Sequence, residues 1–520
     1  LLLKNTSQPR LGFRVNKIYI DSYYMDPQTK KYPEANRELM KQFNEGMLVF
    51  NYIGHNDPEV GFTGEGLFSR YEMDHLTNTR LPLFITITCD YCQFDAEDVS
   101  AGENVFLNPS AGAIALITTT RVVYTDGNDK INQRLMKRLL ERDSNGSPLR
   151  IGDVLKLAKR DFNTEIDKNK LNYVLIGDPA LKLAYPEHSI QVTRINGNSG
   201  EKNIEMIPGK NYTVEGEIRS HQNELLSDFN GYIYYNLYDK EKQFTTLAHQ
   251  DKKTWTYTHR PDLLTTGKGT IQNGIFRITV TLPIDNSHSG KSGLLNLYAY
   301  DESGREANGY TDKLIVSTAV EPITEDIQGP DIEFAGINDD SFTEGILVNN
   351  PATFVCKFSD PSGIWSGNSL GKQMILSLDG ACIEENVARY YRPIAESEIP
   401  EGEFIYPLPR LSNGLHTLTF KVFDTLGNSS EVTIAFEVKE NSETYTISLE
   451  EEPATERATI SCQDQNGNDV TESKHTRISV TNTLGEEIWS YETTENNPFP
   501  LTWNLQDNNG KRVSAGQYYC

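Results

Sequence analysis

Met47-Leu48-Val49-Phe50-Asn51-Tyr52-Ile53 closes on Gly54-His55-Asn56, and Leu83-Phe84-Ile85-Thr86-Ile87-Thr88 closes on Cys89-Asp90-Tyr91-Cys92. Both runs are short, rich in β-branched or aromatic residues, and apolar on both faces, which is the pattern of a strand buried in a parallel sheet. In such sheets the working residues lie just past the carboxyl ends of the strands. His55 and Cys89 stand in those two positions and form a candidate base and nucleophile. A thiol attacks weakly until its proton is removed, and a neighbouring imidazole removes it and later protonates the leaving group. The oxyanion that develops needs aimed N–H donors, which the loop after Gly54-His55 and the turn at Cys89 could each supply. The plainer reading of each residue alone is a small core cysteine and a hydrogen-bonded strand-end histidine. Their occurrence at successive strand ends favours chemistry.

Working outward, residues 1–186 alternate strands and helices, as a parallel α/β sheet does. Lys17-Ile18-Tyr19-Ile20 predicts a short strand. Pro33-Glu34-Ala35 opens a helix with Leu39 and Phe43 on one face, and Gly46 ends it. A helix through Leu67, Tyr71 and His75 separates the two central strands. Ala113 to Thr118 predicts a third strand, Ile131-Leu135-Leu139 and Ile151-Leu155-Ala158-Phe162 two helices, and Tyr173 to Ile176 a fourth strand ending at Gly177-Asp178-Pro179.

After Tyr185-Pro186 helical periodicity gives way to alternating strands such as Gly231 to Tyr238 and Gly274 to Thr281, parted by turn clusters such as Asp285-Asn286-Ser287. That texture predicts β-sandwich modules. The link Glu321-Pro322-Ile323-Thr324-Glu325-Asp326 leads to a second β module containing Ala352 to Cys356 and His416 to Phe423, and a polar link at Glu440 to Glu443 leads to a third. The expected units are therefore 1–186, 187–325, 326–440 and 441–520.

A chain of 520 residues is too long for one core and implies about three to five domains. Its formal charge of −24 argues against nucleic acid or an anionic bilayer as the main partner. No run reaches the ~18 apolar residues of a membrane helix. The chain opens on Leu1-Leu2-Leu3-Lys4 and reads as the later part of a longer precursor, with Tyr518-Tyr519-Cys520 as a strand cut part-way. Six cysteines are too few for a disulfide scaffold.

Other candidates carry less. Cys89-Asp90-Tyr91-Cys92 spells Cys-x-x-Cys, yet no second pair at zinc spacing exists, and Cys92 reads as a structural neighbour or as a thiol able to trap Cys89 in a disulfide. Asp57, Glu59 or Asp90 could hold His55. His75 reads as surface or packing, and Gly177-Asp178-Pro179 as a turn. Asp339-Asp340 and Asp360-Pro361-Ser362-Gly363 offer oxygen ligands without a full calcium-loop pattern. Cys356 and Cys382 could bridge within one β module. Neither cofactor nor metal is expected.

Tyr52-Ile53-Gly54-His55, Ile85-Thr86-Ile87-Thr88-Cys89 and Val174-Leu175-Ile176-Gly177-Asp178-Pro179-Ala180-Leu181 occur in that order. In this they resemble the gingipain-type cysteine peptidases over about residues 10–186. The resemblance implies a caspase-like α/β fold, His55 as catalytic histidine, Cys89 as nucleophile, and the backbone N–H groups of Asn56 and Cys89 as the oxyanion hole. The family usually carries Gly where Asn56 stands, so here a side chain borders the pocket. The acidic support of the histidine lies upstream of the motif in that family. Thr481 to Trp489 and Trp503 to Val513 are similar to the C-terminal Ig-like sorting module of proteins secreted by the type IX system of Bacteroidetes. Together these resemblances imply a peptidase and sortase of that system. It would remove the C-terminal signal domain of cargo through a thioester and pass the cargo to an amine on anionic lipopolysaccharide. Its place would be the outer face of the outer membrane, held by the PorV barrel, with PorQ and PorZ in one attachment complex. The competing readings are a secreted digestive protease with the same dyad and a non-catalytic surface adhesin or scaffold.

Overall fold

The computed structural model describes residues 12–56, 61–62, 67–161, 169–249, 252–284, 290–317, 326–338, 342, 345, 347–367, 371–384, 386–394, 399–439, 446–450, 456–463, 476–482, 487–493, 499–513 and 518–519. A mixed α/β region comes first and several β-sheets follow it. Asp57, Glu59, Phe162, Asp285 to Ser287, Asp339-Asp340, Glu440 to Glu443 and Cys520 lie outside the described residues.

Among the described residues of the α/β region the strands β1 (Val49–Ile53), β2 (Gly61–Phe62), β3 (Phe68–Ser69), β4 (Leu83–Ile87), β5 (Ala115–Thr119) and β6 (Tyr173–Ile176) are interspersed with six helices. These are α1 (Pro33–Glu45), α2 (Arg70–Asp74), α3 (Ala101–Phe106), α4 (Thr125–Leu139), α5 (Ile151–Arg160) and α6 (Asn169–Asn172). The main sheet has the order β1-β4-β5-β6, and β2 pairs with β3 apart from it. Side chains on a strand alternate between faces. Phe50, Tyr52, Phe84 and Leu116 accordingly pack with Ala35, Leu39 and Phe43 of α1 and with Ala101 and Val105 of α3. Leu83, Ile85, Ile87, Ala115 and Ile117 pack with Ile131, Leu135 and Leu139 of α4 and Ile151, Val154 and Ala158 of α5. Two cores thus sandwich one sheet, which is why β4 and β5 read as unbroken apolar runs.

Two expectations for this region are corrected. Lys17 to Ile20 is not a strand: a single 3-10 turn occupies Ile20–Ser22. The side chains there are committed elsewhere, Lys17 Nζ donating to the Thr258 carbonyl at 2.7 Å and the Tyr19 ring lying 4.1 Å from that of Tyr257. The sheet is also not wholly parallel. β1, β4 and β5 run parallel, whereas β6 pairs antiparallel with β5. The chain makes a helical hairpin of α4 and α5 before β6, so it re-enters the sheet at the end it left, and α6 delivers it there through the bond from the Thr120 N–H to the Asn172 carbonyl (3.0 Å).

Asn78 fixes the turn that feeds β5. Its side chain is 1 % exposed, donates to the Arg80 and Gly112 carbonyls (3.1 and 2.9 Å) and accepts from the Gly112 N–H (3.0 Å). Asn78→Ala leaves those buried backbone groups unpaired, and each such group costs about 1–3 kcal/mol. Hydrogen exchange at Ala113 to Thr119 is expected to accelerate accordingly, with little change in the β modules.

Eight of the next strands form one sheet that closes on itself, which corrects the expected sandwich between residues 187 and 325; beside it lie a hairpin of Lys242–Thr245 with Thr256–His259 and a small sheet of Ile204–Met206, Leu314–Val316 and Lys291–Ser292. Strand His188–Ile195 pairs antiparallel with Asn211–Arg219 and, at its start, parallel with Glu306–Thr311. The sheet order runs from the first of these partners round to the second. A bulge at Glu215/Gly216 bends the strand pair, as closure requires. Ile218, Phe229, Ile233, Leu237, Phe276, Leu295 and Leu297 fill the ring.

The following strands make two sheets. Asp331–Ile337, Thr353–Ser359, Glu401–Pro407 and Tyr391–Pro393 form one, and Leu347–Val348, Ser429–Val438, Gly414–Phe423, Ile375–Leu378 and Ala381–Glu384 the other. Phe354, Phe358, Phe404, Phe420 and Phe436 lie in their shared core. Cys356 is buried in this core and Cys382 is exposed on the other sheet, both as free thiols, so the suggested bridge is not formed. The last described strands form two three-stranded sheets around Ile460, Ile478, Val480 and Trp503.

His416 ties a turn of the third unit together. Its Nδ1 bonds the Asp379 carboxylate (2.7 Å) and its Nε2 the Ser412 carbonyl (2.8 Å). Both partners are acceptors, so both ring nitrogens must carry protons. Burial pushes this imidazole down, but the bonds to Ser412 and Asp379 outweigh it and hold its pKa above the ordinary value. A raised folded pKa adds stability in full below the unfolded value of about 6.5, and that stability is lost as pH rises through the folded pKa. Thermal unfolding followed by the buried Trp365 is expected to weaken over that interval, and His416→Gln to flatten the change.

Candidate active site

The pairing of β1 with β4 is in register from Val49 opposite Leu83 to Ile53 opposite Ile87. His55 and Cys89 are each two residues past the last of these pairs. Gly54 extends the ladder by donating its N–H to the Ile87 carbonyl at 3.4 Å. Adjacent strands lie about 4.8 Å apart, so the register alone brings the two strand exits side by side. The Asn56 side-chain amide closes the gap and donates to the Cys89 carbonyl at 3.1 Å.

Each exit is braced separately. The Tyr52 hydroxyl donates to the His55 carbonyl at 2.7 Å. A Cβ on Gly54 would collide with that hydroxyl, which explains the glycine before the histidine. On the other side Thr119 Oγ1 donates to the Thr88 carbonyl (2.5 Å), and the Cys92 N–H donates to the Thr119 carbonyl (3.0 Å). Asp90 has φ of 47°, a left-handed conformation that turns the chain sharply behind Cys89. Burial raises the Asp90 carboxyl pKa against the pull of Arg121. Tyr91 then points inward, fully buried, its ring 4.9 Å from Phe62.

Cys89 is half-buried among the residues facing α4 and α5. Its Sγ donates to the Val123 carbonyl and accepts from the Val123 N–H, both at 3.4 Å. His55 is exposed. Among the described residues the thiol bonds Val123 and not the imidazole. The Val123 loop is held in turn by Asn169, which accepts from the Tyr124 N–H at 3.1 Å and donates to its carbonyl at 2.6 Å. Sequence reasoning missed both Val123, which acts through its backbone, and Asn169.

Cys92 faces the other way. It is buried beneath α3, where a Cβ on Gly102 would come within 2.6 Å of the Cys92 Cβ, and burial pushes its thiol up to about 11. Cys89 and Cys92 are both free thiols, and of the two readings of Cys92 its burial fits the structural neighbour. Asp178 closes a turn by accepting from the Ala180 N–H at 2.8 Å. Away from this site, Asp326, Asp360 and Asp424 bring carboxylate oxygens within 4.8 Å of one another, the one such acidic group among the described residues. Asp424 already accepts from the N–H groups of Leu426, Gly427 and Asn428, and Asp360 from Ser362. Asp326 likewise accepts from the Gln328 N–H at 3.1 Å, and these bonds make the three aspartates turn-builders.

Residues 3–184 match the family model of Peptidase family C25. That span contains both strand exits. Among solved structures, dimeric latent PorU from Porphyromonas gingivalis is 24% identical, with 79% of this chain and 39% of that chain covered and a TM-score of 0.35. The complex of Porphyromonas gingivalis RgpB pro- and mature domains is 16% identical over 54% of this chain and 57% of that one, with a TM-score of 0.27. The Arg-specific cysteine proteinase gingipain R is 16% identical over 54% and 56%, also at 0.27. At these scores the likenesses do not bear on how the units are arranged. The chain spans about two-fifths of the PorU chain it is compared with (39%). No curated protein matches it. The C25 match supports a cysteine-peptidase capability for the first unit. No helix among the described residues is long and apolar enough to cross a membrane.

Proposed function

We propose that this chain is a PorU-type cysteine endopeptidase and transpeptidase with a caspase-like catalytic unit, in which Cys89 is the nucleophile and His55 the general base. The observation that carries this reading is the register of β1 and β4, which sets His55 and Cys89 at equivalent positions past neighbouring strands inside the C25 span. In the reaction the Cys89 thiol leaves Val123, gives its proton to His55, and attacks the scissile carbonyl. The N–H groups of Asn56 and Cys89 receive the oxyanion. The intermediate collapses to a thioester as the C–N bond breaks, and the departing amine takes the proton from His55. A second amine then attacks the thioester, forms a new amide and returns the proton to the thiol.

The substrate in this reading is the C-terminal signal domain of type IX cargo, and the acceptor amine belongs to anionic lipopolysaccharide. PorV, PorQ and PorZ are the partners at the outer-membrane surface. The units 1–186, 187–325, 326–440 and 441–520 divide the work, the first catalytic and the last a retained, Ig-like docking module. The test is to mix the protein with a cargo that ends in its signal domain and to identify the new carboxyl terminus by mass spectrometry, with and without an added amine. One cut at the domain border and an amine-capped product are expected. Broad degradation of unrelated proteins would instead indicate a digestive protease.

A further inference from the structure

The segment at residues 12–17 straps the α/β region to the closed sheet. The Gly12 carbonyl accepts from the Asn296 side-chain amide at 2.7 Å, and the Arg14 guanidinium lies over the Tyr238 ring at 5.3 Å and donates to its hydroxyl at 3.3 Å. Between strap and sheet lies a cavity of about 40 Å³ whose lining includes Arg14, Lys17, Tyr238, Glu241, His259 and Arg260. Three permanent cations and an imidazole thus face a single carboxylate, in a chain whose net charge is −24.

Lys17, His259 and Arg260 are half-buried, and Arg14 is exposed at the mouth. Among the described residues none of the three cations makes an ion pair. Lys17 Nζ donates to the Thr258 carbonyl (2.7 Å), and Arg260 to the carbonyls of Asp239 (2.7 Å) and Ser292 (3.1 Å). Glu241 in the lining acts on both Lys17 and Arg260, Asp239 and Asp312 act on Arg260 from outside it, and Asp262 is taken by Lys242 at 2.5 Å. Burial lowers the pKa of Lys17, and at His259 burial is reinforced by Arg14 and Lys17. Half-buried charges are normally matched by a counter-charge. Here the chain supplies one carboxylate, Glu241, against three cations, so the lining stays net positive.

We propose that this cavity is a binding site for a phosphate group. A water needs about 10–15 Å³ of such space, so the cavity takes roughly three oxygen-sized groups, enough for one face of a tetrahedral oxyanion. The two guanidinium groups supply forked donors and Lys17 a point charge, the usual partners of phosphate. Such an anion would bind strap and sheet at once and so tighten the seam between the catalytic region and the first β module.

Calorimetric titration of the whole chain with inorganic phosphate, against sodium chloride and acetate at equal ionic strength, tests this. Saturable binding of phosphate with a rise in Tm is expected, with chloride and acetate without effect. Arg14→Ala and Lys17→Gln are each expected to weaken binding by about tenfold or more, the loss of one charge-assisted bond. Arg14 is exposed, so its variant keeps the fold even if Lys17→Gln does not. No phosphate binding, equal binding of acetate, or an affinity unchanged in Arg14→Ala would overturn the assignment. A hexose 1-phosphate that competes with inorganic phosphate identifies a glycan-borne group as the source, whereas its exclusion identifies the free ion. The readout is binding, so it stands or falls separately from the peptidase reading.

Discussion

Cys89→Ala is expected to abolish cleavage while leaving the fold in place. Cys89 is the half-buried thiol at the β4 exit, and no nucleophile remains there once the sulfur is removed. Its Sγ makes two 3.4 Å bonds to the Val123 backbone, so the local stability change is expected to stay within about 1–3 kcal/mol. Alkylation by iodoacetamide, mapped by peptide mass spectrometry, provides the measurement. Cys382 is exposed on the third unit and serves as an internal standard, whereas Cys92, Cys356 and Cys462 are buried. Cys89 should react faster than Cys382 in the wild type. His55→Ala should slow both cleavage and Cys89 labelling, with cleavage falling by about 10²–10⁴, the usual worth of a general base. Labelling of Cys89 no faster than Cys382, unaffected by His55→Ala, would remove the dyad.

Phe84→Ala is the most damaging core change expected in the α/β region. Phe84 is fully buried in β4, with its ring 4.8 Å from Phe50 and 5.6 Å from Phe43. Truncating such a ring costs about 3–5 kcal/mol, a large part of the ~5–15 kcal/mol that holds a domain together. The chain has several cores, so one unfolding curve does not isolate this one. Trp255, Trp365, Trp489 and Trp503 all lie beyond residue 186, so tryptophan fluorescence is silent here. Hydrogen exchange of Leu83 to Thr88 is the right reporter, and its protection should fall by the corresponding factor of 10² or more. Unchanged protection would mean that β4 is not central to that core.

The two strand exits were legible because a buried parallel strand leaves a continuous apolar run, and His55 and Cys89 each end one. What the runs could not convey was register, which depends on pairing across 34 residues of sequence. The reversal of β6 was hidden for a related reason: Tyr173-Val174-Leu175-Ile176 is equally apolar in either direction, and only the α4–α5 hairpin sets its sense. Closure of the second unit rests on one strand sharing two neighbours, and periodicity carries no trace of that. Lys17 and Tyr19 looked like strand residues because their long side chains are amphipathic, but those side chains reach across to Thr258 and Tyr257. Val123 contributes backbone atoms, for which side-chain identity gives no signal.

The closed ring of the second unit has a consequence for association. An open sheet offers a row of unpaired N–H and C=O groups that recruits foreign strands, and a ring has no such row. The next unit ends its sheets in Asp331–Ile337, seven residues long, and in three strands of two to four residues, Tyr391–Pro393, Leu347–Val348 and Ala381–Glu384, one of them stopped by proline. Across these two units a template for strand exchange or fibre growth is thus narrowed mainly to one long edge, Asp331–Ile337. Partners that meet the ring are steered to its loops and faces, leaving backbone pairing to that edge and to the units at either end.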